Sequence, residues 1–484
     1  MSLKNFYRPI LLACLITLCS CEGPAPPSEE EIIVLDQIPQ IFPDYTDITI
    51  PPNIAPLNFE VLEEGEAFYA LFEGPQGKAI KLRAKLNTFR IPPDRWSQLL
   101  SANQGSQISV RVFKKTNNQW SGFAAFRIKV ASEPIDPYLV YRLIPPGYET
   151  WSAMGLYQRN LTSFRESPVI ENKYIEDNCV NCHSFSQGNS ENFMFHIRGS
   201  VGGTMIMRGD KIEKVDLKRD ETLSAGVYPS WHPSGDYIAF STNKIEQYFH
   251  ASPEESIEVL DRQSDLIIYN IDSKEVKHVP GTQGDQYMET YPHWSPDGTS
   301  LYFCRSDADA NTPYDSIRYD IYRISFDPAT EEFGEAEAVY LASLQGKSAS
   351  FPRVSPDGSY LLCTLHDYGT FPIWHKEADL CLVDLSSGVA QVPKLSNSDD
   401  TDSYHSWSSN NRWIVFSSRR YDGRYTKPYI SYMNSEGQFQ KAFLLPQEDP
   451  GSNASFFYSY NRPELITGPI KINPRQWIRS IREN

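Results

Sequence analysis

The residues best placed to do chemistry are Cys179-Val180-Asn181-Cys182-His183. They read C-x-x-C-H, the attachment pattern of a c-type haem. Two thiols add to the two vinyl groups of one haem, and the adjacent imidazole reaches the iron as proximal ligand. With 8 Cys and 9 His in 484 residues, random placement yields roughly 0.002 such motifs per chain. The competing readings are a disulfide, a redox-active Cys-x-x-Cys, half of a zinc site, or a site that has lost its haem. A zinc site needs a second ligand pair, and no second Cys-x-x-Cys or close His pair occurs.

The expected cofactor is therefore one covalent haem c, held by Cys179 and Cys182 with His183 on the iron. The motif does not fix the sixth ligand. His196 is the first candidate, and Met205 is the alternative, with Met194 and Met207 near it in sequence. Arg198 is a candidate partner for a haem propionate. No Gly-x-Ser-x-Gly, His-Glu-x-x-His or phosphate-binding loop occurs, so no catalytic residue is assigned. Cys304, Cys363 and Cys381 lie in strand patterns and read as small buried hydrophobes; a Cys363–Cys381 disulfide is the other reading.

These residues must be positioned by strands. Turn residues and aromatics are plentiful and long helical patterns are few, which reads as all-β. Downstream of the motif a unit recurs about every 60 residues. Tyr228-Pro229-Ser230-Trp231-His232-Pro233-Ser234-Gly235, Tyr291-Pro292-His293-Trp294-Ser295-Pro296-Asp297-Gly298 and Phe351-Pro352-Arg353-Val354-Ser355-Pro356-Asp357-Gly358 each precede an apolar strand. Tyr404-His405-Ser406-Trp407-Ser408-Ser409-Asn410-Asn411 is a degenerate fourth copy. In Ser-Pro-Asp-Gly, Pro presets φ, Asp bonds its own backbone, and Gly takes a positive φ. One such unit cannot bury both faces, so the copies must pack around a common axis.

The repeat resembles that of TolB-like β-propellers, whose Tyr-Pro-x-Trp-Ser-Pro-Asp-Gly turn stands almost letter for letter at residues 291–298. The resemblance covers about residues 226–446 and implies five or six blades, six by analogy with TolB. His293, Arg353 and His405 recur at similar points of the repeat, near the strand that lines a propeller channel, and read as polar channel lining.

The chain begins with Lys4 and Arg8, then a short apolar stretch, Ile10 to Leu18, too short to span a bilayer as a helix. Leu18-Cys19-Ser20-Cys21 resembles a bacterial lipobox with Cys21 lipidated. The acidic, proline-containing run behind it reads as a tether and resembles surface-export signals of Bacteroidetes lipoproteins. The expected organisation is a lipoprotein signal peptide over 1–20, a tether over 21–45, and an N-terminal Ig-like β-sandwich over 46–131. A connector carrying the haem motif follows over 132–192, then the β-propeller over 193–484.

A formal net charge of −16 with no basic stripe argues against nucleic acid. The reading is an exported, membrane-anchored monohaem protein of the cell envelope, expected at the outer membrane and attached through its lipid. It carries or senses electrons with a redox or envelope protein partner that the sequence does not name, and is not expected to be an enzyme. The alternatives are an interaction scaffold with structural or absent haem and, less favoured, a haem peroxidase.

Overall fold

A computed structural model describes residues 32–146, 153–250, 257–307 and 311–483. Six of its sheets have four antiparallel strands each, and they follow one another around an axis as blades of a propeller. Blade 1 joins Tyr138–Ile144, Gly155–Asn160 and Glu166–Glu171 to an inner strand from the far end of the chain, Ser459–Ile466. The inner strands of blades 2 to 6 are Cys179–Ser186, Val227–Trp231, Met288–Trp294, Ser348–Val354 and Asp402–Trp407. A sheet with two apolar faces is covered only if every blade has two neighbours. The late strand Ser459–Ile466 supplies the missing neighbour by pairing antiparallel with Tyr138–Ile144.

Two expectations about boundaries change here. The first concerns the tether, part of which, Ile32–Val34 and Ile41–Phe42, forms strands of the N-terminal sheets. Residues 132–192, read as a connector, hold three strands of blade 1 and the inner strand of blade 2. Pro134, Pro137, Pro145 and Pro146 read as breaking this segment, but the first two precede the strand Tyr138–Ile144 and the last two follow it. The haem motif is therefore a blade strand.

The repeat turns keep one geometry even where the sequence departs. Ser295 Oγ donates to Asp297 Oδ1 at 2.5 Å, and Ser355 to Asp357 at 2.6 Å. In blade 6, Ser408 donates to Asn410 at 2.6 Å, and Asn411 (φ 60°) takes the left-handed place of Gly298 and Gly358 (φ 75° each). In blade 3, His232 Nδ1 and Ser234 Oγ, 2.8 Å apart, do the work of the Ser–Asp pair.

The N-terminal unit is all-β apart from one helix. Its seven-stranded sheet is built on Gln107–Thr116, which pairs with Ala67–Glu73 on one edge and with Gln119–Gly122 and Phe126–Val130 on the other. A three-stranded sheet and the helix Pro93–Ala102 close the core, the helix burying Trp96, Leu99 and Leu100. That core is continuous with Tyr141, Trp413, Tyr432 and Tyr460 of blades 1 and 6. Asp136 accepts from Ser409 N and Oγ at 2.7 and 2.6 Å, and Trp413 Nε1 donates to Glu133 O at 3.1 Å. The unit thus sits on the seam where the ring closes. At the other end, the helix Pro474–Glu483 covers blade 2, packing Trp477 on Phe193 and Phe195.

Candidate functional site

Each inner strand carries a bulge at one non-glycine residue in the left-handed region. These are Cys182, Tyr228, Tyr291, Phe351, Tyr404 and Arg462, with φ between 48° and 54°. The bulge turns that side chain toward the axis. Four aromatics then stack in sequence around the throat: Tyr228–Tyr291 at 4.3 Å, Tyr291–Phe351 at 4.1 Å and Phe351–Tyr404 at 4.3 Å between centroids. Arg462 and Cys182 occupy the remaining two places, within electrostatic reach of Tyr404 and, for Cys182, also of Tyr228. Asn181-Cys182-His183-Ser184-Phe185 and Asn461-Arg462-Pro463-Glu464-Leu465 are therefore fifth and sixth copies of the repeat. Sequence reading missed them because neither is followed by Trp-Ser-Pro-Asp-Gly; Pro463 was the one remaining signal.

The C-x-x-C-H residues lie on this strand as follows. Cys179 is buried, its Sγ 3.8 Å from Met154 Sδ. Burial raises its thiol pKa, against the pull of Arg142 and Arg198. Cys182 is half-buried at the throat, and neither cysteine is in a disulfide. His183 is 1% exposed. Its Nε2 has no hydrogen-bond partner among the described residues and lies 4.0 Å from Glu464 Oε2. Burial first, and then Arg462 and Arg142, holds its pKa well below the usual histidine range, so the ring is neutral. Arg142 donates to Val180 O and Asn461 Oδ1 at 3.5 and 3.1 Å, binding blade 1 to blade 2 beside the motif.

The donor types are those of a c-type haem, while the register sets Cys179, opposite Arg198, on the His196 face and His183 on the Phe185 face. Two unbonded thiols stand three residues apart, and the imidazole is in its metal-binding neutral form with an orphaned buried nitrogen. Arg198, directly opposite Cys179 in register, and Arg142 are the cations at hand.

The candidate sixth ligands are less well placed. Val180, Phe185, Phe195 and Ile197 face the core between blades 1 and 2, the side on which His183 meets Phe185 and Glu464. Strand alternation puts His196 on the opposite face with Met194, toward blade 3. There its Nδ1 meets Thr204 Oγ1 at 3.1 Å, and burial lowers its pKa to about 4. Met205 is fully buried on the third strand, opposite Phe195. Cys21 lies outside the described residues. Cys304, Cys363 and Cys381 are buried free thiols, the last two directly opposite each other.

On the turn side of the throat the channel opens into a cavity of about 390 Å³. One residue from each inner strand, two places after the left-handed one, lines it: Ser184, Ser230, His293, Arg353, Ser406 and Glu464. His293, Arg353 and His405 therefore do meet at the channel. Arg353 Nη1 donates to His293 Nδ1 at 3.2 Å, and His405 Nε2 bonds Leu362 O at 2.9 Å. Sequence reading did not find Arg462 and Glu464, which come from the closing strand.

No known family profile and no curated protein matches the chain. Among solved structures, oligogalacturonate lyase from Vibrio parahaemolyticus is similar at 12% identity, over 59% of this chain and 85% of that one, with a TM-score of 0.32. A DUF4784 family protein from Bacteroides caccae is similar at 10% identity, over 76% and 98%, with a TM-score of 0.31. Prolyl oligopeptidase B from Galerina marginata is similar at 10% identity, over 69% of this chain and 42% of that one, with a TM-score of 0.35. The propeller itself is read from this chain's own strand pairing.

Proposed function

We propose that the chain is an exported, lipid-anchored envelope protein whose propeller carries one covalent haem c. Cys179 and Cys182 hold the group, His183 binds its iron, and the protein transfers or senses electrons. The observation that carries this reading is the buried, neutral and unpartnered Nε2 of His183 on the same strand as two unbonded thiols. Bound there, haem supplies a one-electron couple tuned by its axial ligands and its burial. The chain's own residues hold the two sulfurs on a strand that neighbouring blades fix in place. They keep His183 neutral, exclude water from it, and offer Arg142 and Arg198 to the propionates. Attachment of haem outside the cytoplasm agrees with the expected signal peptide and lipidation at Cys21.

A second reading, a TolB-like interaction scaffold without functional haem, is favoured by the channel cavity, which needs no haem to bind a ligand.

The test is a pyridine haemochrome spectrum of the chain co-expressed with a c-type maturation system, beside the Cys179→Ala/Cys182→Ala variant. Stoichiometric haem, lost in the variant, is the expected result. No haem under conditions that mature a control cytochrome overturns the reading and leaves the scaffold. His196→Ala should leave the visible spectrum unchanged, because the sheet separates it from His183; an altered spectrum would mean the strand rearranges around the cofactor.

A further inference from the structure

The channel cavity holds two arginines that make no direct ion pair, although its lining also carries Glu464 and Asp136. Arg353 and Arg462 are both half-buried there, and neither is ion-paired with a carboxylate among the described residues. Arg462 Nη1 is buried with no hydrogen-bond partner. Arg353 spends one donor on His293, whose Nδ1 must accept because a guanidinium has no acceptor. Two more polar groups of the lining are unsatisfied although their residues are each 3% exposed: the Trp294 indole N–H and His405 Nδ1. The two carboxylates of the lining are engaged elsewhere: Glu464 accepts from the Phe185 N–H at 3.3 Å and faces His183, and Asp136 accepts from Ser409 N and Oγ.

A guanidinium taken out of water without a counter-ion is costly. An interior that keeps two of them, with spare donors and room of about 390 Å³, is arranged for an anion. The volume falls in the roughly 300–1,000 Å³ span of small-molecule sites. The wall between the charged groups is apolar, with Val354, Trp407 and Leu465 among its members, so the occupant should have a carbon body as well as an anionic head.

We propose that the turn-side channel cavity is a binding site for a small organic carboxylate, its head group on Arg353 and Arg462 and its carbon body against the apolar wall. Guanidinium forks match carboxylate oxygens in a planar, bidentate way that ammonium does not. The site lies beyond the throat ring from the thiols and does not rest on the haem reading.

The test is titration calorimetry of the full chain with benzoate, succinate, inorganic phosphate and the neutral control benzamide. One-to-one binding of benzoate or succinate, with no heat from benzamide, is expected. Arg353→Gln and Arg462→Gln should each weaken it at least about tenfold, while Arg111→Gln, an exposed surface arginine, leaves it unchanged. Arg353→Lys keeps the charge and guards against misfolding; it should weaken binding while the melting temperature holds. No binding of either carboxylate up to about 10 mM, binding indifferent to the channel arginines, or binding of phosphate alone each overturns the proposal.

Discussion

The inner strands of blades 2 and 4 have almost the same backbone and opposite chemistry. Cys182 stands at φ 51° and Tyr291 at φ 53°, each at the bulge of the strand that faces the channel. Tyr291 is 3% exposed, stacks on both ring neighbours and donates to Thr370 O at 3.0 Å. Cys182 makes no such stack and remains half exposed. After Tyr291 comes Pro292; after Cys182 comes a histidine with an unpartnered nitrogen. A left-handed non-glycine residue costs about 1–2 kcal/mol, and the ring bears that cost six times. The backbone shape is thus a demand of the propeller, and any side chain that tolerates it can be placed at the throat. Blade 4 uses the place for packing. Blade 2 leaves packing unmade and sets reactive groups there instead.

Removing the packing version should hurt most. Tyr291→Ala opens the stack on both sides, and an expected loss of about 3–5 kcal/mol would appear as an earlier midpoint in urea unfolding. A loss below about 1 kcal/mol would show that the aromatic ring is not a structural element.

The same division between scaffold and local chemistry appears at the long hairpin of blade 3, Tyr237–Phe249 with Ile257–Asn270. Its Glu258 is 0% exposed and accepts from His375 Nε2 of blade 5 at 3.0 Å, while Glu377 accepts from Nδ1 at 2.9 Å. Burial opposes a charge on His375, but the hydrogen bonds to Glu258 and Glu377 outweigh it and lift its pKa to about 9, from 6.5. The folded state therefore binds this proton more tightly than the unfolded chain. The contribution is complete below pH 6.5 and is lost as pH rises through about 9, a fall on the order of 3 kcal/mol. His375→Gln should flatten that alkaline limb of the stability–pH curve; an unchanged limb would remove the cluster from the account.

The sharpest comparison should have the smallest effect on stability. Cys182→Tyr/His183→Pro gives blade 2 the residues of blade 4. The fold should keep its stability to within about 1.5 kcal/mol, since the backbone already has the required shape, while the proposed haem attachment is abolished. A variant that fails to fold would mean that the motif itself supports the blade.

Much of the fold was legible because turns are local. Ser295-Pro296-Asp297-Gly298 and Ser355-Pro356-Asp357-Gly358 dictate their own backbone, so four blades could be placed from sequence. The two remaining blades were not legible as repeats, since a bulge needs no fixed side chain and Cys182 and Arg462 disguise it. The helix Pro93–Ala102 went unseen among strand patterns, although Pro93 at its first turn was a usable start signal. For the site, the C-x-x-C-H spacing was legible as a candidate donor set because it lies within five residues. His196 as sixth ligand was inferred from nearness in sequence, and strand alternation sends it to the other face.

The sequence by itself determined the C-x-x-C-H spacing and the tight turns, because both act over a few residues. Tertiary structure alone decided what surrounds them. Ser459–Ile466 must return to Tyr138–Ile144 because the first blade would otherwise lack its inner strand. That closure carries Glu464 to within 4.0 Å of His183 and places Arg462 in the throat ring between Tyr404 and Cys182. No local pattern encodes such a meeting; it follows from the need of stacked sheets to cover both faces, which only a closed ring satisfies.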